Sequence, residues 1–111
     1  MGRRARHGAR GVRACWRRER AFREHVWLAS AALIVLSAAG PALLWWALVG
    51  LALATGLALE LVNGALEALA DRLHPGIHPE IGVAKDMASG AALVVNITAA
   101  GILAASVWQS P

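Results

Sequence analysis

Two long stretches of this chain carry no charged side chain, and they restrict its possible folds more than any other feature. They run from Val26 to Leu59 and from Met87 to Pro111. The hydrocarbon core of a bilayer is about 30 Å thick, and a helix of about 20 apolar residues crosses it. Residues 87–108 reach that length, and residues 42–59 nearly reach it and continue as an apolar run. The pattern predicts a protein that is embedded in a membrane.

The composition supports a membrane protein over other classes. The chain has 111 residues, of which 58% are hydrophobic and 16% are charged, against about 25% charged in an ordinary soluble domain. A soluble domain this small has too much surface to hide so many apolar side chains. The hydrophobicity also excludes a disordered chain, and the single cysteine, Cys15, excludes a disulfide scaffold.

The spacing of breaks predicts an all-α membrane protein with three spans in one domain, residues 1–111. The dipeptide Gly40–Pro41 interrupts the first apolar stretch, and so tight a break favours an antiparallel helical hairpin. A second polar segment, residues 71–86, separates the later apolar stretches and is interpreted as a loop. We expect transmembrane helices at about residues 21–39, 42–70 and 82–108.

Positive charge is concentrated at the start of the chain, and it predicts an orientation. All lysines and arginines lie in residues 1–24 or in the segment 71–86. Under the positive-inside rule, both segments are cytoplasmic. Residues 1–24 are expected to form a basic surface segment, with a helix over 13–24 whose apolar side carries Val12, Cys15 and Trp16 and which lies on an anionic leaflet.

This basic segment has two alternative interpretations. Nucleic-acid binding is one, but the adjacent membrane span favours a lipid surface. The other is a secretory signal, because Arg3–Arg4 precede an apolar stretch and Ser37–Ala38–Ala39 resembles a cleavage site. The region before the apolar stretch is long for a signal, and two further spans follow it.

An acidic stripe marks the end of the second predicted span. Glu60, Asn63, Glu67 and Asp71 are separated by three, four and four residues, so they share one face of a helix. At 1.5 Å per residue, Glu60 lies about 10 Å deeper than Glu67. A carboxylate at membrane depth is a functional candidate by default. The alternative is a helix end that emerges into water, and it fits Asp71 best.

The two carboxylates suit different chemical roles. The shallower Glu67 can reach a hydrated divalent cation, and Mg²⁺ prefers one or two carboxylates together with phosphate oxygens. The deeper Glu60 suits a general base acting on a lipid alcohol at the membrane boundary. Lys85 would neutralise a phosphate. The sequence has no P-loop motif, and His74 and His78 are interpreted as loop residues rather than metal ligands.

Two longer patterns extend beyond the acidic stripe. The first reads Glu60-Leu-Val-Asn63-x-Ala65-Leu-Glu67-x-x-x-Asp71, followed by His78 and by Ala84-Lys85-Asp86-Met87-x-Ser89. The second reads Arg13-Ala14-x-Trp16-x-x-Glu19-x-Ala21-Phe22-Arg23-Glu24. Together they resemble the signature of the prokaryotic diacylglycerol kinase family, which consists of small homotrimeric integral membrane enzymes. The resemblance covers about residues 13–95, most of the chain.

The resemblance implies a role for each matching residue. Glu60 would be the catalytic base, and Glu19 and Glu67 would hold Mg²⁺. The residues implied for ATP binding are Glu19, Glu67, His78, Lys85 and Asp86. The residues implied for binding the acceptor lipid are Arg13, Trp16, Phe22, Arg23, Glu60, Asn63 and Ser89. The family's active sites are shared between neighbouring subunits of a homotrimer in the bacterial inner membrane.

The acceptor lipid stays open at this point, because the sequence gives mixed signals. Met87 and Ser89 resemble the branch that converts 1,2-diacylglycerol to phosphatidic acid, whereas the pair His78–Pro79 resembles the branch that phosphorylates undecaprenol. The chain departs from the family at Gly64, where Ser or Thr is usual, and at His25, where an acidic or Gln-like residue is common. More distant alternatives are a small multidrug exporter, which would have four spans, and a non-enzymatic membrane scaffold.

Overall fold

The protein is an all-helical chain, as the sequence predicted. A computed structural model describes residues 2–110, and within that range it contains helices and no strand. The elements in chain order are α1 Gly2–Arg18, α2 Arg20–Ala39, α3 Leu43–Leu73 and α4 Pro79–Gln109. Among the described residues, three helices, α2, α3 and α4, are long and apolar enough to cross a membrane. The exporter alternative, which requires four such helices, does not fit this architecture.

The helices α3 and α4 are longer than their predicted spans, so the predicted loop 71–86 shrinks to the connection 74–78. The polar residues on either side of the connection belong to helix ends rather than to a loop. His78 is the N-cap of α4: its Nδ1 accepts a hydrogen bond from the backbone N–H of Glu80 at 3.2 Å. Pro79 occupies the first turn, where its missing N–H costs nothing.

The N-terminal helix differs from the prediction of one helix over 13–24. Glu19 has an extended backbone (φ −112°, ψ 107°) and separates α1 from α2. The Arg23 guanidinium donates hydrogen bonds to the carbonyls of Trp16 at 2.6 Å and Arg17 at 3.2 Å, so it satisfies the exposed end of α1. On the predicted apolar side of α1, Cys15 is buried, whereas Val12 and Trp16 are exposed.

The predicted break after α2 is confirmed. Gly40 has a left-handed backbone (φ 63°, ψ 45°), and its N–H donates to the carbonyl of Leu36 at 3.0 Å. Glycine suits this position because a left-handed conformation carries no steric cost for it. Pro41 follows directly and is buried, and α3 begins at Leu43.

Small residues make most of the buried contacts between the helices. Alanines 29, 32, 52, 92 and 99 are buried, and Leu36, Val49 and Ser106 are the largest fully enclosed side chains of residues 2–110. Helices in lipid associate by close backbone approach, and small side chains permit it. The short connection makes α3 and α4 antiparallel neighbours, and beside it Lys85 Nζ lies 2.7 Å from Asp71 Oδ1.

The outer faces of the spanning helices are apolar and exposed. Leu28 and Ile34 on α2 are 71% and 70% exposed, and Leu51 on α3 and Met87 on α4 are similarly open. So much contiguous apolar surface is typical of a face that meets lipid or another protein chain. The structure therefore supports a protein embedded in a membrane.

Candidate functional site

Glu60 is the acidic residue of α3 that lies farthest from the polar connection, and it lies between three helices. It stands on α3, where Gly56 and Gly64 lie one turn before and one turn after it on the same face. Its side chain is only 12% exposed. The basic side chain that lies near Glu60 is that of His25 on α2. Its Nδ1 is 3.8 Å from Glu60 Oε1, and the side chain is 10% exposed.

Gly56 makes room for the His25 ring. A Cβ atom at position 56 would lie 2.7 Å from His25 Cε1 and 2.9 Å from His25 Nε2, closer than real contacts allow. The same point is 3.2 Å from Oδ1 of Asn96 on α4. The missing side chain of Gly56 is thus what lets the histidine ring approach α3 this closely.

A cavity of about 410 Å³ opens beside this cluster. Its polar lining consists of Glu24, His25, Glu60 and Asn96, and the rest is apolar, with walls built from Ala21, Leu28, Ala29, Ala32, Val49, Leu53, Ala99, Ala100 and Leu103. Because Leu28 and Asn96 are exposed, the cavity reaches the outer surface of the helices. An apolar chamber with a few polar groups at one end suits an amphipathic ligand.

A second recess of about 350 Å³ lies on the other side of Glu60, between α1 and α3. Here Gly64 receives side chains from the end of α1: a Cβ at position 64 would lie 3.2 Å from Glu19 Cγ and 3.4 Å from Cys15 Sγ. Burial raises the pKa of the Cys15 thiol, and the negative charges of Glu19 and Glu60 raise it further. Glu19 is therefore brought to the acidic stripe from the junction between α1 and α2.

The remaining stripe residues differ in exposure. Asn63 is half-buried, and its Oδ1 has no hydrogen-bond partner within the described chain. A buried acceptor without a partner is uncommon and marks a place for a ligand or water. Glu67 is half-buried one turn beyond Gly64, and Asp71 is exposed. The alternative interpretation of Asp71 as part of a solvated helix end fits the structure.

Of the residues that the sequence assigned to ATP, His78, Lys85 and Asp86 lie towards the connection between α3 and α4, whereas Glu19 and Glu67 lie at the acidic stripe. Lys85 is on α4, not in a loop, and it pairs with Asp71. Asp86 is exposed next to it, and His78 caps α4 as described. The nucleotide role of these residues stays a prediction.

Of the residues predicted to bind the acceptor lipid, only Glu60 lines the 410 Å³ cavity. Phe22 is buried and Arg23 ties α1 to α2, which gives both a structural role in this chain. The lipid-binding role predicted for Arg13, Trp16, Asn63 and Ser89 stays a prediction.

Sequence reasoning missed His25, Gly56 and Asn96. For His25 the only signal was its departure from the family pattern. Asn96 gave one signal, as an amide within an apolar span, and Gly56 gave none, because only its proximity to His25 in three dimensions makes it notable.

Glu19 and Glu67 are the two carboxylates predicted to hold Mg²⁺. In residues 2–110 no group of three or more His, Cys, Asp or Glu side chains is arranged to hold a metal ion. The available donors are the carboxylates of Glu19, packed on Gly64, and of Glu67, one turn along α3. Two carboxylates suit Mg²⁺, which keeps several waters and takes further oxygens from phosphates. They would not suit a metal that needs a complete protein cage.

The fold and site define a class of small helical membrane proteins with a buried carboxylate between the spans. The family model described as prokaryotic diacylglycerol kinase matches residues 6–107, so the chain belongs to this family of membrane-embedded lipid kinases. Two relatives named diacylglycerol kinase, from Helicobacter pylori strains J99 and 26695, are each 34% identical over 84 residues. The aligned region covers 76% of this chain but only 66% of each Helicobacter protein.

A third relative belongs to the other branch of acceptor lipids. It is named undecaprenol kinase and comes from Bacillus subtilis strain 168. It is 34% identical over 91 residues, covering 82% of this chain and 74% of the Bacillus protein. Identity is therefore the same to both kinds of relative.

Proposed function

We propose that this chain transfers the γ-phosphoryl group of ATP to the hydroxyl of a membrane lipid, with 1,2-diacylglycerol as acceptor and phosphatidic acid as product. The observation that carries the proposal is Glu60, whose side chain is 12% exposed and lines a cavity between three apolar helices. A general base must lie within hydrogen-bond reach of the proton that it removes. A lipid hydroxyl is the acceptor that can reach a carboxylate at this depth.

The cavity supports a lipid acceptor. Its volume of about 410 Å³ lies within the usual range of ligand pockets, and its walls are alanine, leucine and valine. A hydrocarbon chain can occupy the apolar part and leave through the open side into the bilayer. The hydroxyl end then lies beside Glu60, His25 and Asn96, the polar groups of the lining.

The shallower side of Glu60 suits the nucleotide. Glu19 and Glu67 would hold Mg²⁺, which when bound neutralises charge that develops on the transferring phosphate. Lys85 and Asp86 lie further towards the connection, where they would contact ATP, with His78 beside them. Lys85 would release Asp71 and bind a phosphate of ATP instead. The Asp71 carboxylate and the phosphate are both negatively charged hydrogen-bond acceptors, so either can pair with the Lys85 ammonium group. The chain's own contribution is to hold these donors while excluding water from Glu60.

Assembly and location complete the proposal. The active unit is proposed to be a homotrimer in the bacterial inner membrane, with the basic N-terminus in the cytoplasm. The exposed apolar faces of α2, α3 and α4 support contact with lipid and with further copies. Residues predicted for the lipid site that lie away from the cavity, such as Ser89, would then serve a neighbouring copy's site.

Undecaprenol is the second candidate acceptor. The Bacillus subtilis relative named undecaprenol kinase aligns over 91 residues, against 84 for the relatives named diacylglycerol kinase. A cavity whose polar groups are gathered around one carboxylate also fits a long prenol, whose single polar group is its hydroxyl. The choice between the two acceptors is therefore made by assay.

The test is phosphate transfer from γ-labelled ATP by the purified protein in mixed micelles, with diacylglycerol and undecaprenol supplied in parallel. We expect labelled phosphatidic acid from the native protein, and none from Glu60→Gln. The matched control is Glu80→Gln, the same change at an exposed position in the first turn of α4, which should retain activity. Preferential labelling of undecaprenol would replace the acceptor, and labelling of neither lipid would overturn the proposal.

A further inference from the structure

Glu60 is accompanied inside the membrane region by a histidine that no matching family pattern predicted. We propose that His25 is a positioning residue for Glu60: its ring, seated in the space left by Gly56, holds the carboxylate in the orientation that faces the acceptor hydroxyl. The inference rests on the proposed function, because it concerns the base of that reaction. It adds His25, Gly56 and Asn96 to the site.

The first observation is the burial of both partners. The side chains of His25 and Glu60 are 10% and 12% exposed, and their nearest polar atoms, Nδ1 and Oε1, are 3.8 Å apart. This distance exceeds that of a hydrogen bond, and either a small side-chain rotation or one water closes it. Catalytic hydrogen bonds are often long without substrate and shorten in the reactive complex.

The second observation is that the ring has little freedom. Its Cε1 and Nε2 atoms lie 2.7 Å and 2.9 Å from where a Cβ of residue 56 would stand, so the ring rests on the backbone of α3. Any side chain at position 56 would push the ring away. The absence of a side chain at Gly56 therefore has a specific structural effect, one turn before Glu60.

The third observation is a polar group on the opposite helix. Asn96 Oδ1 lies 3.2 Å from the same point over Gly56, so it approaches the place of the missing side chain from α4, as the His25 ring does from α2. Asn96 is the single amide side chain between Met87 and Trp108, where the other polar side chains are hydroxyl groups and the Trp108 indole. The groups that surround the ring are thus Glu60 and Gly56 of α3, Asn96 of α4 and the neighbouring Glu24 of α2, with Cys15 and Glu19 beyond Glu60.

These contacts give His25 a function distinct from that of a base. A carboxylate in an apolar cavity has several rotamers and little else to hold it. An N–H group at His25 Nδ1 would fix one oxygen of Glu60 and leave the other directed to the cavity. Misplacing a reacting group by about 1 Å can cost about 10²-fold in rate, so losing this contact should act on kcat.

The central experiment compares two substitutions at one position. His25→Leu keeps the branch at Cγ but has a carbon where Nδ1 stood, whereas His25→Asn keeps an N–H donor at that place. We expect His25→Leu to lower kcat about 10²-fold with little change in KM for ATP, and His25→Asn to recover most of that loss. An equal loss in both variants would overturn the proposal, because it would assign the effect to packing.

Gly56 supplies an independent test through the backbone. Gly56→Ala should lower kcat as His25→Leu does, because it displaces the same ring. The matched control is Gly50→Ala on the same helix, where a Cβ meets no atom within 4 Å. Since both changes act through one ring, the double variant His25→Leu/Gly56→Ala should lose no more than the more impaired single variant. Losses that multiply would contradict a shared mechanism.

The result at Glu60 separates the two levels of inference. If Glu60→Gln is inactive and His25→Leu retains near-native kcat, the proposed base stands and the positioning role of His25 is wrong. If Glu60→Gln retains near-native turnover, the proposed function itself fails. Thermal unfolding of each variant in detergent, measured by the loss of helical circular dichroism, shows whether a loss of activity arises from misfolding. If His25→Leu misfolds, His25→Asn decides: the proposal fails when His25→Asn does not recover activity.

Discussion

Gly56 and Gly64 lie on the same face of α3, one turn to either side of Glu60, yet they admit different neighbours. Gly56 admits a buried histidine ring from α2, at 2.7 Å from a notional Cβ, whereas Gly64 admits the flexible side chain of Glu19, at 3.2 Å. The deeper glycine thus brings a group from another span to Glu60. The shallower one brings a carboxylate from the junction of α1 and α2, where water and ions have access.

The same contrast governs how each site tolerates a methyl group. Alanine is favoured over glycine by about 1 kcal/mol in the middle of a helix, so either substitution gains helix stability. At Gly64 the nearest atom is a methylene that can move by a few tenths of an ångström. At Gly56 the nearest atoms belong to an enclosed ring with α4 behind it. We therefore expect Gly64→Ala to be tolerated better than Gly56→Ala in activity.

The largest predicted effect comes from a substitution of Glu60, which lies between the Gly56 side and the Gly64 side of α3. Glu60→Gln keeps the shape of the side chain but cannot accept a proton, and general-base catalysis contributes about 10²–10⁴-fold. We expect kcat to fall by about 10³-fold or more, with the far-ultraviolet circular dichroism spectrum unchanged. A variant that keeps more than a tenth of native turnover would exclude Glu60 as the base and remove the link between the two sides.

A second prediction concerns the shallower side alone. Glu19→Ala or Glu67→Ala should raise the Mg²⁺ concentration for half-maximal activity by at least about tenfold, since a lost ligand weakens metal binding at least as much as a lost supporting contact. His25→Asn should leave that concentration unchanged, because His25 lies on the deeper side. Titration of activity with Mg²⁺ measures this directly. Equal shifts in all three variants would show that the two sides are not separate.

A third prediction separates the two partners of Lys85. If Lys85 contacts ATP, Lys85→Ala should raise KM for ATP about tenfold, because a charge-assisted contact to phosphate is lost. Asp71→Asn removes only the exposed pair with Lys85 and should change KM by less than about twofold. Initial rates over a range of ATP concentrations give both values. If Asp71→Asn matches Lys85→Ala, the pair itself is required and the nucleotide role of Lys85 is wrong.

The smallest predicted effect uses Cys15 as a reporter of the recess at Gly64. Burial and the nearby Glu19 and Glu60 raise the pKa of this thiol, and only the thiolate reacts with iodoacetamide. Alkylation should therefore accelerate at a more alkaline pH than for an exposed cysteine. Glu19→Gln removes one of the charges, lowers the pKa and should speed alkylation a few-fold near pH 8. A rate unaffected by Glu19→Gln would place the carboxylate away from the thiol.

The spans could be predicted from the sequence because the membrane imposes one strong rule on length and charge. The starts of α2 and α3 agree with the predicted boundaries to within about one residue, and Gly40–Pro41 identifies the turn between them. The ends facing the polar connection could not be predicted as well. Residues such as Asp71 and Lys85 are as compatible with a loop as with a solvated helix end, and their pairing across α3 and α4 favours the helix.

The spacing of residues predicted a shared site only where they follow a helical repeat, and the family resemblance alone added Glu19 to it. Glu60, Asn63 and Glu67 share a face because of their spacing, and that face can be read from one segment. The break at Glu19 carries neither Gly nor Pro, so no residue type indicates that α1 ends there. The contact between His25 and Glu60 joins residues that are distant in the chain, and it depends on the position of α2, which no local pattern specifies.

The junction at Glu19 has a consequence for how such a protein can be altered. Glu19 is the single non-helical residue between α1 and α2, and its Cγ lies 3.2 Å from where a Cβ of Gly64 on α3 would stand. Arg23 on α2 holds the two helices together at this junction, because its guanidinium donates hydrogen bonds to the last carbonyls of α1. The orientation of the Glu19 carboxylate thus depends on hydrogen bonds that another residue makes. Losing those hydrogen bonds would displace the carboxylate without changing its own chemistry.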